Sequence, residues 1–252
     1  MRLLATILLL ATVPVLADGN LSDNIRISSE ILGYDLQYRV YLPGGLAPDS
    51  ELPVMFVTDG PAYIKRGRFV RTLDRLLDAG RIEPVVVVFV DAQDPDDPAI
   101  NRRNEQFFCN ADYLRFYTDE FIPIIERGYP VRKVREARSI LGVSFGGLNA
   151  ACFGLLGYDA FYGIGMHSPA NHPVDGLLPA YEKAPTLPLR IFLSTGSPDD
   201  NTKANRAFRA LLKAKGYEMK FKQTDGGHDW GNWRPLVDDV LVYFYGHAKG
   251  AR

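Results

Sequence analysis

The chain has 252 residues, of which 46% are hydrophobic and 23% are charged, and its formal net charge is −1. This composition is ordinary for a soluble globular protein and is sufficient for one large domain with a sizeable core. A net charge so close to zero provides no positive field that would attract nucleic acid or an anionic membrane, so neither is expected as a partner.

Residues 1–17 have the pattern of a secretory signal peptide. Arg2 supplies the charged start, residues 3–16 form an apolar stretch, and Val15-Leu16-Ala17 is a small-residue cleavage site. The apolar stretch is shorter than the roughly 20 residues that a membrane span needs. An N-terminal anchor that is never cleaved is the alternative. We therefore expect an exported protein, periplasmic or secreted, whose mature chain, residues 18–252, is a single domain without stable membrane insertion.

Patterns of apolar residues predict the strands. The runs at residues 25–28 and 36–42 alternate apolar and polar residues, as half-exposed antiparallel strands do. The runs at 54–57, 85–90 and 140–141 are continuously apolar, which is typical of central parallel strands covered on both faces. Further strands are predicted at 162–166, 189–193 and 219–221.

Helical periodicity alternates with the later strands. It is found at residues 69–79, 113–125, 148–156, 204–215 and 233–245. About eight strands, antiparallel first and then alternating with helices, predict an α/β fold: a three-layer sandwich around a mostly parallel sheet. In such sheets functional residues collect at the carboxyl ends of the strands.

The segment Gly142-Val143-Ser144-Phe145-Gly146 follows the strand predicted at 140–141. Its G-x-S-x-G spacing is typical of a nucleophile elbow, a sharp turn that presents a serine between a strand and a helix. Glycine is needed where the two backbones approach, because a Cβ would clash there. Ser144 is therefore the candidate nucleophile, provided that a base and an orienting acid accompany it.

Of the four histidines, His228 is the candidate base. It lies in TDGGHDWGNW, between the last predicted strand and the last helix, which completes the chain order serine, acid, histidine. His247 lies at the end of the last helix, and His172 lies in a proline-bounded loop. His167 ends a strand and could line a pocket, but it precedes the acid loop.

The candidate acid lies in STGSPDDNTKAN, after the strand predicted at 189–193. Asp199 and Asp200 are adjacent there, and one could orient His228 while the other caps the helix that begins near Thr202. We favour Asp199 as the orienting acid and keep Asp200 as the alternative. A capping role alone is the competing interpretation for both.

Five stretches resemble the esterase group of the α/β-hydrolase superfamily: LPVMFVTDGPAYI, FYTDEFIPIIERGYPV, LGVSFGGLNAACFGL, FLSTGSPDDNTKANRAFRALLKAKGY and GGHDWGNWR. The group includes enterochelin, feruloyl and acetyl-xylan esterases, formylglutathione hydrolase and mycolyltransferases. The resemblance implies cofactor-free cleavage of a small-molecule ester through an acyl-enzyme, with Ser144 as nucleophile and His228 as base. GGHDWGNWR is most similar to the enterochelin esterases, which makes a siderophore trilactone one candidate substrate. A feruloyl or acetyl ester is the other candidate, because the group also contains esterases that act on such esters.

The predicted oxyanion hole departs from the pattern of this group. The amide of Phe145 is one expected N–H donor, since it follows the nucleophile. The resemblance implies a second donor directly after the Asp-Gly of the third strand, but that residue is Pro61, which has no N–H. Gly60 or Ala62 would then donate, or the hole has a single donor.

Three aromatic or imidazole side chains are candidates for substrate binding. Trp230 and Trp233 follow the candidate base and could stack on a ring, although packing of the last helix on the core explains them equally well. His167 is the third candidate. Arg102, Arg103 and Glu105 are expected to be solvated surface charges rather than a site for an anionic substrate.

Two alternatives to an esterase remain from the sequence: acyl transfer to an alcohol on the same residues, and a binding protein without catalysis on a hydrolase scaffold. Neither a metal-ligand spacing nor a phosphate-binding loop is present in the sequence, so no metal is expected.

Cys109 and Cys152 are expected to be two separate half-buried thiols, with a disulfide as the alternative that export would permit.

Overall fold

Nine strands form one sheet in the computed structural model, which describes residues 19–197 and 199–247. The predicted signal peptide, residues 1–17, lies outside the described residues. The strands are β1 (Asn20–Leu21), β2 (Ile25–Ser29), β3 (Tyr34–Leu42), β4 (Val54–Val57), β5 (Val86–Asp91), β6 (Arg138–Val143), β7 (Gly163–His167), β8 (Arg190–Thr195) and β9 (Glu218–Gln223).

The sheet is antiparallel at one edge and parallel from its centre to the other edge. Its order is β1-β3-β5-β4-β6-β7-β8-β9, with β2 also paired to β3. The neighbours from β5 through β4, β6, β7 and β8 to β9 are all parallel. The carboxyl ends of these strands therefore lie along one edge, as expected for the predicted α/β sandwich.

Helices cover both faces of the sheet. They are α1 (Gly60–Lys65), α2 (Phe69–Asp78), α3 (Arg103–Phe107), α4 (Ala111–Arg115), a π-helical segment (Phe116–Phe121), α5 (Ile122–Gly128), a 3₁₀ turn (Arg135–Ala137), α6 (Phe145–Leu156), α7 (Leu177–Lys183), α8 (Thr202–Ala214) and α9 (Trp230–Tyr245). Strand alternation sends Phe56 and Val88 to the core shared with α6 and α8, and Val57 and Phe89 to the core shared with α1, α2 and α9.

The positions of the long elements agree with the sequence patterns, and the differences concern short helices and the ends of elements. The helices α1, α3 and α7 were not predicted, because none is long enough to show a clear apolar period. Helix α6 begins at Phe145, directly after Ser144, instead of at Leu148. Among residues 19–197 and 199–247, none of the helices combines the length and apolarity that a bilayer span requires.

The two cysteines form a disulfide, which corrects the expectation of separate thiols. Cys109, directly after α3 and its capping residue, is bonded to Cys152 in α6, and the two cysteines are 43 positions apart along the chain. Cys152 is fully buried. The bond ties the segment that carries α3 to the helix that follows Ser144.

Reducing this disulfide should destabilise the fold, because the cross-link restricts the unfolded chain. For a loop of this length the loop-closure relation gives a loss of about 4 kcal/mol in the free energy of unfolding. Thermal melts with and without dithiothreitol measure the loss, and the Cys109→Ser/Cys152→Ser variant, which should melt at the same temperature in both buffers, is the control. Free thiols detected in the denatured, unreduced protein would contradict the disulfide.

Candidate active site

Ser144 occupies a turn between β6 and α6 that few residues tolerate. Its φ of 56° and ψ of −117° lie outside the favoured regions for an L-residue. The turn is possible because Gly142 and Gly146 pack backbone to backbone: a Cβ on Gly142 would lie 2.0 Å from the Gly146 carbonyl oxygen. Hydrogen bonds from Ser144 N–H to the His167 carbonyl (2.9 Å) and from Ala170 N–H to the Ser144 carbonyl (3.0 Å) hold it.

Ser144, His228 and Asp200 form a continuous hydrogen-bonded series. The Oγ atom of Ser144 lies 2.8 Å from His228 Nε2, and His228 Nδ1 lies 2.5 Å from Asp200 Oδ1. The Asp200 side chain is fully buried, whereas 32% of the His228 side chain is exposed. The three residues follow the carboxyl ends of β6, β8 and β9. In the sheet β7 lies between β6 and β8, and β9 is the next neighbour of β8.

The carboxylate in this series is Asp200 and not the favoured Asp199. Asp199 is exposed and has no hydrogen-bond partner among the described residues. The residue at the N-cap of α8 is Asn201, so neither aspartate caps the helix. Two adjacent loop residues point in different directions, and the backbone path after β8 turns Asp200 inward.

Asp200 is held in its ionised form. Burial by itself would raise the pKa of Asp200, but hydrogen bonds from His228, Ser168 and the Gly196 amide outweigh that effect and lower the pKa to about 2. Oδ2 accepts from Ser168 Oγ (2.6 Å), Thr195 Oγ1 (3.1 Å) and Gly196 N–H (2.5 Å), which leaves Oδ1 to His228.

The start of α9 fixes the loop that carries His228. Asp229 is the N-cap of α9, and its carboxylate accepts from the N–H groups of Gly231 (2.7 Å) and Asn232 (3.2 Å). The Asn232 side chain donates to the Gly227 carbonyl at 2.9 Å. His228 therefore lies between a capped helix and an anchored glycine turn.

The candidate oxyanion donors differ in whether their N–H groups are free. The N–H of Ala62 donates to the Asp59 carbonyl at 2.9 Å. The N–H groups of Gly60 and Phe145 have no acceptor within the described part of the chain. Pro61 lies at the first turn of α1, where a missing N–H costs the helix nothing.

A cavity of about 540 Å³ opens beside Ser144 and His228. Its walls come from α1, the end of β5, the segment before α3 and the start of α9. The lining residues are Asp59, Pro61, Ala62, Lys65, Arg66, Asp91, Ala92, Gln93, Asn101, Arg103, Val143, Ser144, His228, Trp230 and Trp233.

Arg103 lies in this cavity wall and is not the solvated surface charge expected from the sequence. It donates to both carboxylate oxygens of Asp59, from Nε at 2.6 Å and Nη2 at 2.9 Å. Burial raises the pKa of Asp59, and the hydrogen bonds from Arg103 oppose that rise. Arg102 is likewise paired, with Asp94 at 3.2 Å and Glu105 at 3.5 Å. The sequence carried no signal for the Asp59–Arg103 pair, because the two residues are 44 positions apart along the chain.

His167 lies behind the site and does not line the cavity. It is fully buried at the end of β7, and its Nδ1 is 3.0 Å from the hydroxyl of Tyr63. Burial lowers the pKa of His167 to about 3, so this side chain is neutral at physiological pH. The position is that of a core residue that supports α1.

The two tryptophans differ in exposure. Trp230 is half-buried and packs edge-on against Tyr63, with ring centroids 5.0 Å apart. Trp233 is only 6% exposed, and its Nε1–H donates to Ser168 Oγ at 2.9 Å. The ring of Trp233 meets the ring of His228 edge-on at 4.8 Å. Both tryptophans line the cavity, Trp230 as a half-buried side chain and Trp233 as a nearly buried one that packs against His228.

The fold and this geometry agree with a known family. Residues 29–244 match the model of a family described as "Putative esterase". The chain belongs to this esterase family. Membership confirms the enzyme class expected from the sequence, a carboxylic ester hydrolase on an α/β-hydrolase fold.

Among the bacterial relatives of this esterase, one is matched over almost its whole length and another over about half of its length. The chain is 26% identical to the uncharacterized protein YjcH of Bacillus subtilis over 86% of the chain and 94% of the relative. It is 28% identical to the iron(III) enterobactin esterase of Escherichia coli over 79% of the chain and 51% of the relative. The chain therefore spans about half the length of that enterobactin esterase.

Solved structures show the same fold. A ferulic acid esterase superimposes with a TM-score of 0.79 at 22% identity, covering 90% of the esterase described here and 98% of that chain. The enterobactin esterase of Shigella flexneri superimposes with a TM-score of 0.78 at 25% identity, and the match covers 88% of the esterase described here and 58% of the Shigella chain.

Over residues 19–197 and 199–247, the His, Cys, Asp and Glu side chains form no group of three or more that could hold a metal ion.

The turn at Ser144 should not tolerate a side chain at Gly142. A methyl group there would overlap the Gly146 backbone, and backbone cannot move as a flexible side chain can, so Gly142→Ala should lose about 3 kcal/mol or more of unfolding free energy. Gly128→Ala is the matched control, since an added Cβ at Gly128 meets nothing within 4 Å in α5. That control should be neutral or stabilising by about 0.5–1 kcal/mol. Urea unfolding of the three proteins measures both values, and equal midpoints would contradict the close approach.

Proposed function

We propose that this esterase hydrolyses a carboxylic ester through an acyl-enzyme on Ser144. The observation that carries the proposal is the unbroken series Ser144–His228–Asp200 at 2.8 and 2.5 Å. A serine hydroxyl needs a base to accept its proton and a third group to orient that base, and this series supplies both.

The proposed reaction has two halves. Ser144 Oγ attacks the ester carbonyl while His228 Nε2 accepts the hydroxyl proton, and Asp200 stabilises the imidazolium that forms. The tetrahedral intermediate then collapses, the C–O bond to the alcohol breaks, and His228 returns the proton to the leaving oxygen. Water, activated by His228, attacks the acyl-enzyme in the same way and releases the acid and free Ser144.

We assign stabilisation of the oxyanion to two backbone amides. Phe145 N–H and Gly60 N–H are the candidates because neither has an acceptor among the described residues. Ala62 is not a donor in this scheme, since its N–H is bonded to Asp59. A donor at such a site contributes roughly 3–4 kcal/mol to the transition state.

The substrate that the cavity supports best is an ester that carries an aromatic ring. Trp230 offers a ring for stacking, and the exposed side chains of Lys65 and Arg66 face the cavity without ion-pair partners among the described residues. The relatives named above include an enterobactin esterase and a ferulic acid esterase, and enterobactin and ferulic acid both contain aromatic rings. Export to an oxidising compartment is part of the proposal, and the disulfide supports it.

Covalent labelling tests the nucleophile. A fluorophosphonate should modify Ser144, and peptide mapping should find the adduct on the peptide that contains Gly142 and Gly146. Purified protein should hydrolyse p-nitrophenyl esters, and feruloyl esters and enterobactin-type trilactones distinguish the candidate substrates. Ser144→Ala should lose both labelling and hydrolysis. An adduct on another serine, or an active Ser144→Ala protein, would overturn the proposal.

The two neighbouring aspartates provide a matched pair for the orienting acid. Asp200→Asn should lower kcat by about 10³–10⁴, because an amide at this position favours the wrong tautomer of His228. Asp199→Asn, the same change one residue earlier on an exposed side chain, should leave kcat within about two-fold of wild type. Steady-state kinetics on one p-nitrophenyl ester measures both variants. Loss of activity in Asp199→Asn with full activity in Asp200→Asn would reverse the assignment.

A further inference from the structure

Ser168 is a buried hydroxyl next to the proposed site that the reaction scheme does not use. It follows β7 directly, is fully buried, and has a φ of 45°, in the left-handed region that non-glycine residues seldom adopt. Its N–H donates to the Ser194 carbonyl at 3.0 Å, and its carbonyl accepts from Asn201 Nδ2 at 3.3 Å. The surrounding backbone therefore maintains an unfavourable conformation at this serine.

The contacts of Ser168 determine where its hydroxyl proton lies. Oγ is 2.9 Å from Trp233 Nε1 and 2.6 Å from Asp200 Oδ2. An indole N–H can only donate, so the hydroxyl oxygen accepts from Trp233. The hydroxyl proton is then directed to the carboxylate, and Ser168 is a donor to Asp200.

This donor acts on the carboxylate oxygen that His228 does not use. Oδ2 of Asp200 receives Ser168, Thr195 and the Gly196 amide, whereas Oδ1 lies against His228 Nδ1. Three donors on one oxygen prevent rotation of the carboxylate about its Cβ–Cγ bond. The indole that holds Ser168 also contacts the edge of the His228 ring, at 4.8 Å between centroids.

We propose that Ser168 is a positioning residue for ester hydrolysis: its hydroxyl, oriented by the Trp233 indole, holds the Asp200 carboxylate with Oδ1 facing His228. The proposal rests on the proposed function, because it concerns how the acid of that series is oriented. Ser168 does not line the cavity, so it acts through Asp200 and not through contact with the substrate.

The first test compares two buried serines at the ends of neighbouring strands. Ser168→Ala should lower kcat by about ten-fold and change KM by less than about two-fold, since a hydrogen bond to a charged group is lost while the cavity is unchanged. Ser194→Ala is the matched control: Ser194 is fully buried, and its hydroxyl has no partner among the described residues. It should keep the wild-type kcat. Equal kcat values for the two variants would overturn the proposal.

A double-mutant cycle separates positioning from general damage to the structure. If Ser168 acts through Asp200, Ser168→Ala should have no further effect on kcat in the Asp200→Asn background. The rate of fluorophosphonate labelling of Ser144 should follow the same pattern, because labelling also needs the activated hydroxyl. A loss of the same factor in both backgrounds would mean that Ser168 acts independently of Asp200, and the proposal would be wrong.

The same cycle remains informative if Ser168→Ala does not fold. Ser168→Gly removes the same hydroxyl and suits a φ of 45°. It should therefore also lower kcat relative to Ser194→Ala, and it should have no further effect on kcat in the Asp200→Asn background. Failure of the proposed function is distinguishable, since it would appear as an active Ser144→Ala protein or as wild-type kcat in Asp200→Asn. A loss in Ser168→Ala that does not depend on Asp200 overturns only the role of Ser168.

Discussion

The reversal of the chain at Ser144 is the constraint on which the site depends. One residue connects the last residue of β6 to the first residue of α6, and its backbone angles are unfavourable for any L-residue. The reversal is sterically possible because Gly142 and Gly146 approach so closely that a Cβ on Gly142 would overlap the Gly146 backbone. It leaves the hydroxyl at the carboxyl edge of the sheet and the Phe145 N–H without an acceptor, so one backbone feature provides both the proposed nucleophile and a proposed oxyanion donor.

Two buried carboxylates near this turn are stabilised in different ways. Asp59 is paired with a full positive charge, the guanidinium of Arg103, and lies against Gly146 at the start of α6. Asp200 is surrounded mainly by neutral donors, and among the described residues its ionisable partner is His228. The first arrangement neutralises a charge within the wall of the cavity. The second keeps a negative charge where a positive charge would form on His228 during ester hydrolysis, which is why we place the acid of the proposed mechanism there.

The order of the strands accounts for how distant segments reach one site. Because β6, β7 and β8 are parallel neighbours, the residues that follow them, Ser144, Ser168 and the loop with Asp200, lie side by side. Parallel pairing also explains the backbone bonds between these loops, from Ser144 to His167 and from Ser168 to Ser194. The disulfide between Cys109 and Cys152 extends this organisation, since it fastens the segment carrying Arg103 to the helix that follows Ser144.

The sequence by itself determined the long strands and helices, the elbow at Ser144 and the choice of His228 as the candidate base. The elements follow from periodicity and the elbow from glycine spacing, which are local patterns of residues. His228 follows from the order of motifs along the chain. Only the tertiary structure decided that Asp200 and not Asp199 meets His228, that Arg103 pairs with Asp59, and that the cysteines are bonded. It also decided that His167 is buried and that Trp233 holds Ser168. These outcomes depend on which way a side chain points and on which distant segments meet, and no local pattern of residues encodes either.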